Sequence, residues 1–145
     1  MTKPRILVTG ATGKTSSVVT SELLKAGYPV RAMVHREDSR SARLKAQGAE
    51  IAVTDMSDVE RVADALKDVQ RAYFCPPYDP YMIQGAVAFA IAAKEACLEC
   101  IVWPDPMAGE PLPSLAHDAP TVAGRSAVFD DARSHTYDRQ AGHLR

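Results

Sequence analysis

The chain has 145 residues, of which 46% are hydrophobic, and it carries a formal net charge of −1 at pH 7. That length is enough for one domain with its own core, and the balanced charge gives no reason to expect nucleic acid or an anionic membrane surface as a partner. The sequence has no uninterrupted apolar stretch of transmembrane length and no layout typical of a signal peptide, so we expect a cytoplasmic protein without a membrane span.

The first predicted element is a strand at residues 5–9 that leads directly into a glycine-containing turn. Its run of apolar residues suits a central parallel strand that is covered on both faces. The turn Gly10-Ala11-Thr12-Gly13 follows, and then a helix predicted at residues 16–26. Glycines let backbone N–H groups approach a phosphate, and the positive end of the helix favours the same anion. The segment therefore predicts a dinucleotide-binding turn, with Ser16 where a third glycine is commoner.

The same segment contains Gly13-Lys14-Thr15, which is the sequence that ends a phosphate-binding P-loop. That motif requires a glycine five residues before its Gly-Lys pair, and the residue at that position is Val8. The nucleoside triphosphatase interpretation therefore fails on spacing. The remaining alternative is an ordinary strand–turn–helix corner without a ligand. Because the turn follows a strand and opens a helix, we favour cofactor binding.

The following residues alternate predicted strands and helices with short connections. Further strands are predicted at residues 30–34, 50–53, 71–74 and 98–102, and further helices at 41–47, 59–66 and 81–96. Gly27 and Gly48 stand where the end of a helix favours a left-handed residue, and Ser57 and Asp58 are candidates to cap the third helix. This rhythm predicts an α/β fold: a doubly wound, Rossmann-like parallel sheet of about five strands in the order 3-2-1-4-5.

The fourth predicted helix is mostly Ala, Val, Ile and Phe, so we expect it to be buried against the sheet or a partner. Cys97 and Cys100 follow it with a spacing that redox pairs and zinc half-sites share. A redox pair would normally lie at a helix N-terminus, and a zinc site would need a second pair or a nearby His. We therefore interpret the two cysteines as small residues at a corner, and predict neither a metal site nor a disulfide framework.

The composition changes abruptly after residue 102. Residues 103–145 hold five of the ten prolines and three of the four histidines but no lysine, and their apolar residues follow neither a helical nor a strand period. We therefore predict a dinucleotide-binding domain at residues 1–102 and an irregular tail at 103–145. A second hypothesis is that the tail is a frame-shifted translation of a longer gene. The nucleotide sequence of the gene tests this hypothesis. It is refuted if the codons of the tail, read in a frame shifted by one base, cannot encode a continuation of the domain.

Three segments give the chain a resemblance to a known family. They are the turn at residues 8–15, the segment at 30–36 and the Tyr-Phe-Cys-Pro-Pro run at 73–77. With them, residues 4–102 resemble the NmrA-like family of atypical short-chain dehydrogenase/reductase proteins. The resemblance implies an NAD(P)-binding domain that either reduces small molecules such as quinones or senses the redox state of the cofactor. The Tyr-x-x-x-Lys pair of the wider dehydrogenase family does not occur, since Tyr137 is followed four residues later by Ala141, so we assign no catalytic residue.

The candidate cofactor-binding residues follow the predicted strands, at the edge where parallel sheets bind ligands. In the first turn, backbone amides are expected to hold the phosphates, and threonine hydroxyls can add hydrogen bonds. The candidates there are Gly10, Thr12, Gly13, Lys14 and Thr15. A solvated lysine at the start of a helix is the alternative for Lys14.

Two later loops supply the other candidates. The resemblance implies that Asp55, after the third strand, lies near the adenine, and that the loop after the fourth strand lies near the nicotinamide ribose. In that loop the candidates are Phe74, Cys75 and Pro76. The alternatives are a turn cap beside Ser57 for Asp55, and ordinary packing of the loop onto the next helix for Tyr78 and Tyr81.

The end of the second strand decides the expected cofactor. An NAD-selective site would place Asp or Glu there to bind the ribose 2′-hydroxyl, whereas this chain has His35 and Arg36. Arg36 can pair with a 2′-phosphate, a contact typically of about 1.5–3 kcal/mol. NADP(H) is therefore favoured over NAD(H). Glu37 and Asp38 follow directly, and either carboxylate would support NAD(H) if it turned toward the ribose.

Functions from different classes stay open. As an enzyme, the chain would transfer hydride from NADPH to a quinone or related carbonyl acceptor. As a sensor, it would bind the dinucleotide and change its association with a regulatory partner. A third alternative is an inactive, truncated remnant with weak affinity for the cofactor, in which the unpaired fifth strand invites self-association.

Overall fold

The computed structural model describes residues 2–76 and 78–104, together with the backbone of two short strands in the tail. Its body is a five-stranded parallel sheet in the order β3-β2-β1-β4-β5. The strands are β1 Ile6–Val8, β2 Val30–Val34, β3 Glu50–Val53, β4 Arg71–Tyr73 and β5 Cys100–Val102. The helices are α1 Lys14–Lys25, α2 Ser39–Ala46, α3 Val59–Ala65 and α4 Met82–Glu95. The predicted fold class and strand order are confirmed.

The central strand β1 shows why the first apolar run of the sequence is needed. It pairs in parallel with β2 on one side and with β4 on the other. Ile6 and Val8 pack into the core beneath one face of the sheet, whereas Leu7 packs into the core of the other face. All three side chains are fully buried, and each such burial stabilises a fold by roughly 1.5–3 kcal/mol. A strand with two buried faces therefore requires an unbroken apolar run.

The helices divide between the two faces of the sheet. Val19 of α1 and Leu44 of α2 belong to the core of one face. Val62 of α3 and Phe89 of α4 belong to the core of the other face. The chain therefore leaves β1 toward β2 and later returns to β4 on the opposite side of β1. That reversal is the switch point at which parallel sheets leave a crevice beyond the carboxyl ends of their strands.

Local caps account for several of the helix boundaries. Asp58 caps α3 as predicted, by accepting a hydrogen bond from the backbone N–H of Arg61 at 3.2 Å. Ser57 does not take that role, because its hydroxyl and its N–H both bond to Asp55. Gly27 and Gly48 follow the last residues of α1 and α2 with positive φ, as predicted.

Helix α4 is buried on one side only, so the prediction of a buried helix is right for half of it. Phe89 stacks on Phe74 with ring centroids 4.4 Å apart, inside the core. Ile83, Val87 and Ile91 are four residues apart and form an exposed apolar stripe, with 72%, 53% and 45% of each residue accessible. Within the described part of the chain, no helix is long and apolar enough to cross a membrane.

The tail contributes two strands of two residues each. β6 Tyr137–Asp138 and β7 His143–Leu144 pair in antiparallel fashion. The other residues beyond 104 lie outside the described residues. The boundary at residue 102, the irregular tail and the frame-shift hypothesis therefore stay predictions.

Candidate functional site

A cleft of about 950 Å³ opens at the carboxyl edge of the sheet. Its walls are the turn after β1 and the loops after β2, β3 and β4. Most residues predicted for the cofactor site line this cleft: Gly10, Thr12, Gly13, Lys14, Thr15, His35, Asp55, Cys75 and Pro76. Parallel strands end at a common edge, so residues far apart in the sequence meet there.

The turn between β1 and α1 is shaped for an anion. The N–H of Gly13 donates to the carbonyl of Gly10 at 2.8 Å, and Gly10 has the left-handed φ of +55°. A Cβ atom on Gly13 would lie only 3.1 Å from that carbonyl oxygen. Gly13 also caps α1 without a side chain, so the first N–H groups of the helix have no intrahelical or side-chain partner. These groups and the positive helix end favour a phosphate.

Two hydrogen-bond links hold this turn against the neighbouring strands. The N–H of Cys75 donates to the hydroxyl of Thr9 at 2.8 Å, which joins the end of β1 to the loop after β4. The N–H of Ala11 donates to the carbonyl of Met33 at 3.0 Å, which joins the turn to β2. Thr9 is fully buried. Its role was not predicted from the sequence, although a hydroxyl residue directly after a buried apolar strand was the available signal.

Ser16 occupies the position where a third glycine is commoner, and its side chain is buried against the loop after β4. Burial raises the pKa of the Cys75 thiol, and the hydrogen bond with Ser16 lowers it in part. The thiol is therefore protonated at neutral pH and poorly suited to act as a nucleophile. Cys97 lies at the end of α4 and Cys100 in β5, the corner that the sequence predicted, and neither forms a disulfide.

The loop after β2 places a different arginine in the cleft from the one predicted. Arg36 is exposed and is not among the residues that line the cleft, whereas Arg40, in the first turn of α2, does line it. His35 lines the cleft as predicted and is exposed. Asp38 caps α2 and pairs with Arg40, whose Nη2 lies 2.7 Å from its Oδ2. The guanidinium beside Asp38 holds the pKa of that carboxyl below its usual range.

Asp55 lies on the cleft wall and also closes its own turn. Its Oδ1 accepts hydrogen bonds from the hydroxyl and the N–H of Ser57, at 2.7 and 2.9 Å. These bonds, above all the one from the hydroxyl, lower the pKa of Asp55. The predicted turn cap is therefore present, and it leaves the other carboxylate oxygen for a ligand.

The loop after β4 departs from two expectations. Phe74 is buried at 2% exposure between Phe89 and the edge of Trp103, so its side chain belongs to the core and not to the cleft. Tyr78 and Tyr81 are 74% and 65% exposed and line the cleft. The alternative in which these two tyrosines pack onto the next helix is therefore wrong, and they give the cleft an aromatic wall.

Comparison with known proteins adds two findings about sequence. A model of the family described as the NmrA-like family matches residues 2–108. Over 120 residues the chain is 30% identical to the NAD(P)H azoreductase of Xenophilus azovorans. That match covers 83% of this chain and 40% of the azoreductase, so the chain spans about two fifths of that relative's length.

Two solved reductases are similar in structure as well. One is an NADPH-dependent quinone oxidoreductase of Escherichia coli in complex with NADPH, at 25% identity and a TM-score of 0.60, covering 68% of this chain and 35% of that one. The other is the triphenylmethane reductase of a Citrobacter species in complex with NADP(H), at 28% identity and a TM-score of 0.57. That match covers 68% of this chain and 36% of the reductase.

Proposed function

The chain belongs to the NmrA-like family, and on that premise we propose that it binds NADP(H) in preference to NAD(H) and reduces a quinone or related carbonyl acceptor. The observation that carries the proposal is the meeting of a glycine turn and an arginine in one cleft at the carboxyl edge of the sheet. When bound, NADPH would supply the hydride. The chain's own residues would bind and orient it.

The turn after β1 would hold the pyrophosphate through backbone N–H groups. The geometry of the turn supports this role, because a Cβ on Gly13 would crowd the carbonyl of Gly10, so the turn depends on glycine at this position. Lys14 and Thr15 line the same part of the cleft and can add a charge and a hydroxyl. Both NADPH and NADH carry a pyrophosphate, so this part of the site would contribute affinity without distinguishing them.

Arg40 would supply the preference for NADPH. It is the arginine that lines the cleft beyond β2, where a ribose 2′-phosphate is expected in this fold. A charge-assisted contact of an arginine with a phosphate is typically worth about 1.5–3 kcal/mol. Arg36, one residue beyond His35, stays a second candidate. The two complexes with NADPH and NADP(H) among the similar structures support this choice of cofactor.

Tyr78 and Tyr81 suggest the class of acceptor. Both rings are largely exposed on the wall of the cleft, and flat aromatic or quinone-like molecules stack well on such rings. Cys75 and Pro76 form the neighbouring wall. Among the relatives, one is named a quinone oxidoreductase and another an azoreductase. A planar electron acceptor is therefore the proposed substrate class.

A redox sensor is the second candidate function, and the exposed stripe of Ile83, Val87 and Ile91 favours it. The stripe lies on the helix that begins beside Tyr81 and Met82 of the cleft, so cofactor binding and partner binding would involve one element. Self-association through the edge of β5, which pairs with β4 alone among the described strands, belongs to the same proposal. Size-exclusion chromatography with light scattering, with and without NADPH, tests both forms of association.

The proposed function is tested by following NADPH oxidation with a panel of quinones, beside a binding titration of NADPH and NADH. An enzyme consumes NADPH only when chain and acceptor are both present. Saturable binding without turnover by any quinone would favour the sensor, and the absence of binding would refute both. We also propose a cytoplasmic location, because no disulfide is found among the described residues, which suits a reducing compartment; cell fractionation tests it.

A further inference from the structure

We propose that Asp38 is a positioning residue that sets the cofactor preference by holding the guanidinium of Arg40 in the cleft. The inference rests on the proposed function, in which Arg40 meets the ribose 2′-phosphate. Asp38 itself is not among the residues that line the cleft, so it would act through Arg40.

The two carboxylate oxygens of Asp38 have separate partners. Oδ1 accepts hydrogen bonds from the N–H groups of Arg40 and Ser41, at 2.9 and 3.1 Å, and so caps α2. Oδ2 accepts from Nε and Nη2 of Arg40, at 3.0 and 2.7 Å. The N–H of Asp38 in turn donates to the hydroxyl of Ser41 at 2.9 Å, which completes a capping box. The carboxylate is thus held in place by its hydrogen bonds to α2 while it bonds to the guanidinium.

The ion pair with Asp38 engages Nε and Nη2 of Arg40 and leaves the rest of the guanidinium available. Among the described residues, no hydrogen bond to Nη1 of Arg40 is found, while the side chain is 57% exposed and lines the cleft. A planar guanidinium presents five N–H donors in a fixed fork. An arginine that is hydrogen-bonded through Nε and Nη2 can therefore still donate to a phosphate from Nη1.

Two opposing effects decide the direction of the expected change. A free arginine on the surface loses side-chain freedom when it binds a phosphate, and Asp38 removes much of that cost by holding the side chain beforehand. The negative charge of Asp38 also repels the phosphate, but salt and water screen this repulsion at an exposed site. We therefore expect the positioning effect to prevail and Asp38 to raise the affinity for NADPH.

The experiment compares Asp38→Asn and Asp38→Ser with the unmodified chain. Asn and Ser both keep an acceptor for the helix cap, whereas both weaken or remove the interaction with the guanidinium of Arg40. NADPH and NADH are titrated by calorimetry, and adenosine 2′,5′-bisphosphate and AMP serve as probes of the ribose side alone. We expect the affinity for NADPH and for the bisphosphate to fall about three- to tenfold. The affinities for NADH and AMP should stay within about twofold.

Two further variants separate positioning from general effects. In an Arg40→Gln background, Asp38→Asn should no longer change the ratio of the two affinities, because the residue through which it acts is gone. Glu37→Gln removes a neighbouring exposed carboxylate that has no described contact with Arg40, and it should leave the ratio unchanged. Melting temperatures report whether the cap of α2 is kept.

Several results would overturn the inference. Equal losses for NADPH and NADH would indicate a structural role of the cap, and unchanged or tighter NADPH binding would show that Asp38 does not position Arg40 for the phosphate. A change of ratio that persists in the Arg40→Gln background would also contradict it. If the unmodified chain binds neither NADPH nor NADH, the proposed function fails first and the inference falls with it.

Discussion

The two sides of the cleft are built by different means. On the phosphate side, the turn after β1 is made of backbone groups and is held by the buried residues Thr9 and Ser16. On the ribose side, the loop after β2 and the first turn of α2 present exposed side chains, among them His35 and Arg40. In the proposed complex, backbone N–H groups would meet a feature that NADPH and NADH share, whereas Arg40 would meet the one group that differs. Affinity and selectivity should therefore be separable by mutation.

The largest expected effect is on the phosphate side, from Gly13→Ala. The added Cβ would lie 3.1 Å from the carbonyl of Gly10 and would displace the turn. Losing one or two charge-assisted bonds to the pyrophosphate should weaken NADPH and NADH alike, by about thirtyfold. Calorimetric titration measures both affinities. Gly48→Ala is the matched control, because it is strained by its φ of +105° but has no neighbour within 4 Å, and it should change stability and not binding.

On the ribose side, Arg40→Gln should separate the two cofactors. Removing the guanidinium should weaken the binding of NADPH by about tenfold and leave the affinity for NADH nearly unchanged. Arg36→Gln serves as the matched variant, and its effect should be smaller because Arg36 is not among the residues that line the cleft. Equal loss of both cofactors in Arg40→Gln, or a larger change of ratio in Arg36→Gln, would reverse this assignment.

A smaller effect is expected from the support of the phosphate side, in Thr9→Val. Valine fills the same volume but removes the hydroxyl that accepts from the N–H of Cys75. The loss of this part-buried hydrogen bond should lower the free energy of unfolding by about 1 kcal/mol. Urea denaturation measures this change, and Thr9→Ser, which keeps the hydroxyl, should recover most of it. Stability that does not differ between the two variants would mean that the link contributes little.

The smallest effect concerns Tyr73, which lies in the core on the same side of the sheet as α1. Burial raises the pKa of Tyr73 to about 12 from the ordinary value of 10.0. Because the folded chain holds this proton more tightly than the unfolded chain, the contribution of Tyr73 to stability is complete below pH 10 and is lost as the pH rises from there toward about 12. The raised pKa of Cys75 adds a loss of the same sign, which begins near pH 9.0.

Tyr73→Phe should therefore flatten the loss of stability at alkaline pH. At pH 7 it should be neutral or stabilise the fold by at most about 1 kcal/mol, because the buried hydroxyl finds no hydrogen-bond partner among the described residues. Urea denaturation at several pH values measures both effects. A loss of more than about 1 kcal/mol at pH 7 would instead show that the hydroxyl is bonded.

The features that were predicted best from the sequence are those that residues close together in the chain determine. The alternation of strands and helices in residues 1–102 was sufficient for the sheet order. The apolar run of β1 and the spacing of Gly10 and Gly13 were sufficient for the strand–turn–helix geometry, because backbone geometry follows from residues close in sequence. The arginine was harder to predict. Helix α2 begins at Ser39 and not at residue 41, and this brings Arg40 into the first turn, at the cleft.

Two other departures also depend on tertiary packing. Phe74 follows β4 on the same face as Ala72, and it packs against Phe89 of α4, a partner distant in sequence. Alternation along the strand could have indicated that face. Tyr78 and Tyr81 are exposed because of the path of the loop before α4, which periodicity does not determine.

We propose that one cleft combines a phosphate site common to both cofactors with an arginine that selects NADPH. The most direct test is a calorimetric titration of the 145-residue chain with NADPH and with NADH at the same moderate ionic strength. We expect one saturable site for each cofactor, with NADPH bound about tenfold more tightly. Equal affinities would contradict the selective role of the ribose side, and the absence of saturable binding would contradict the site as a whole.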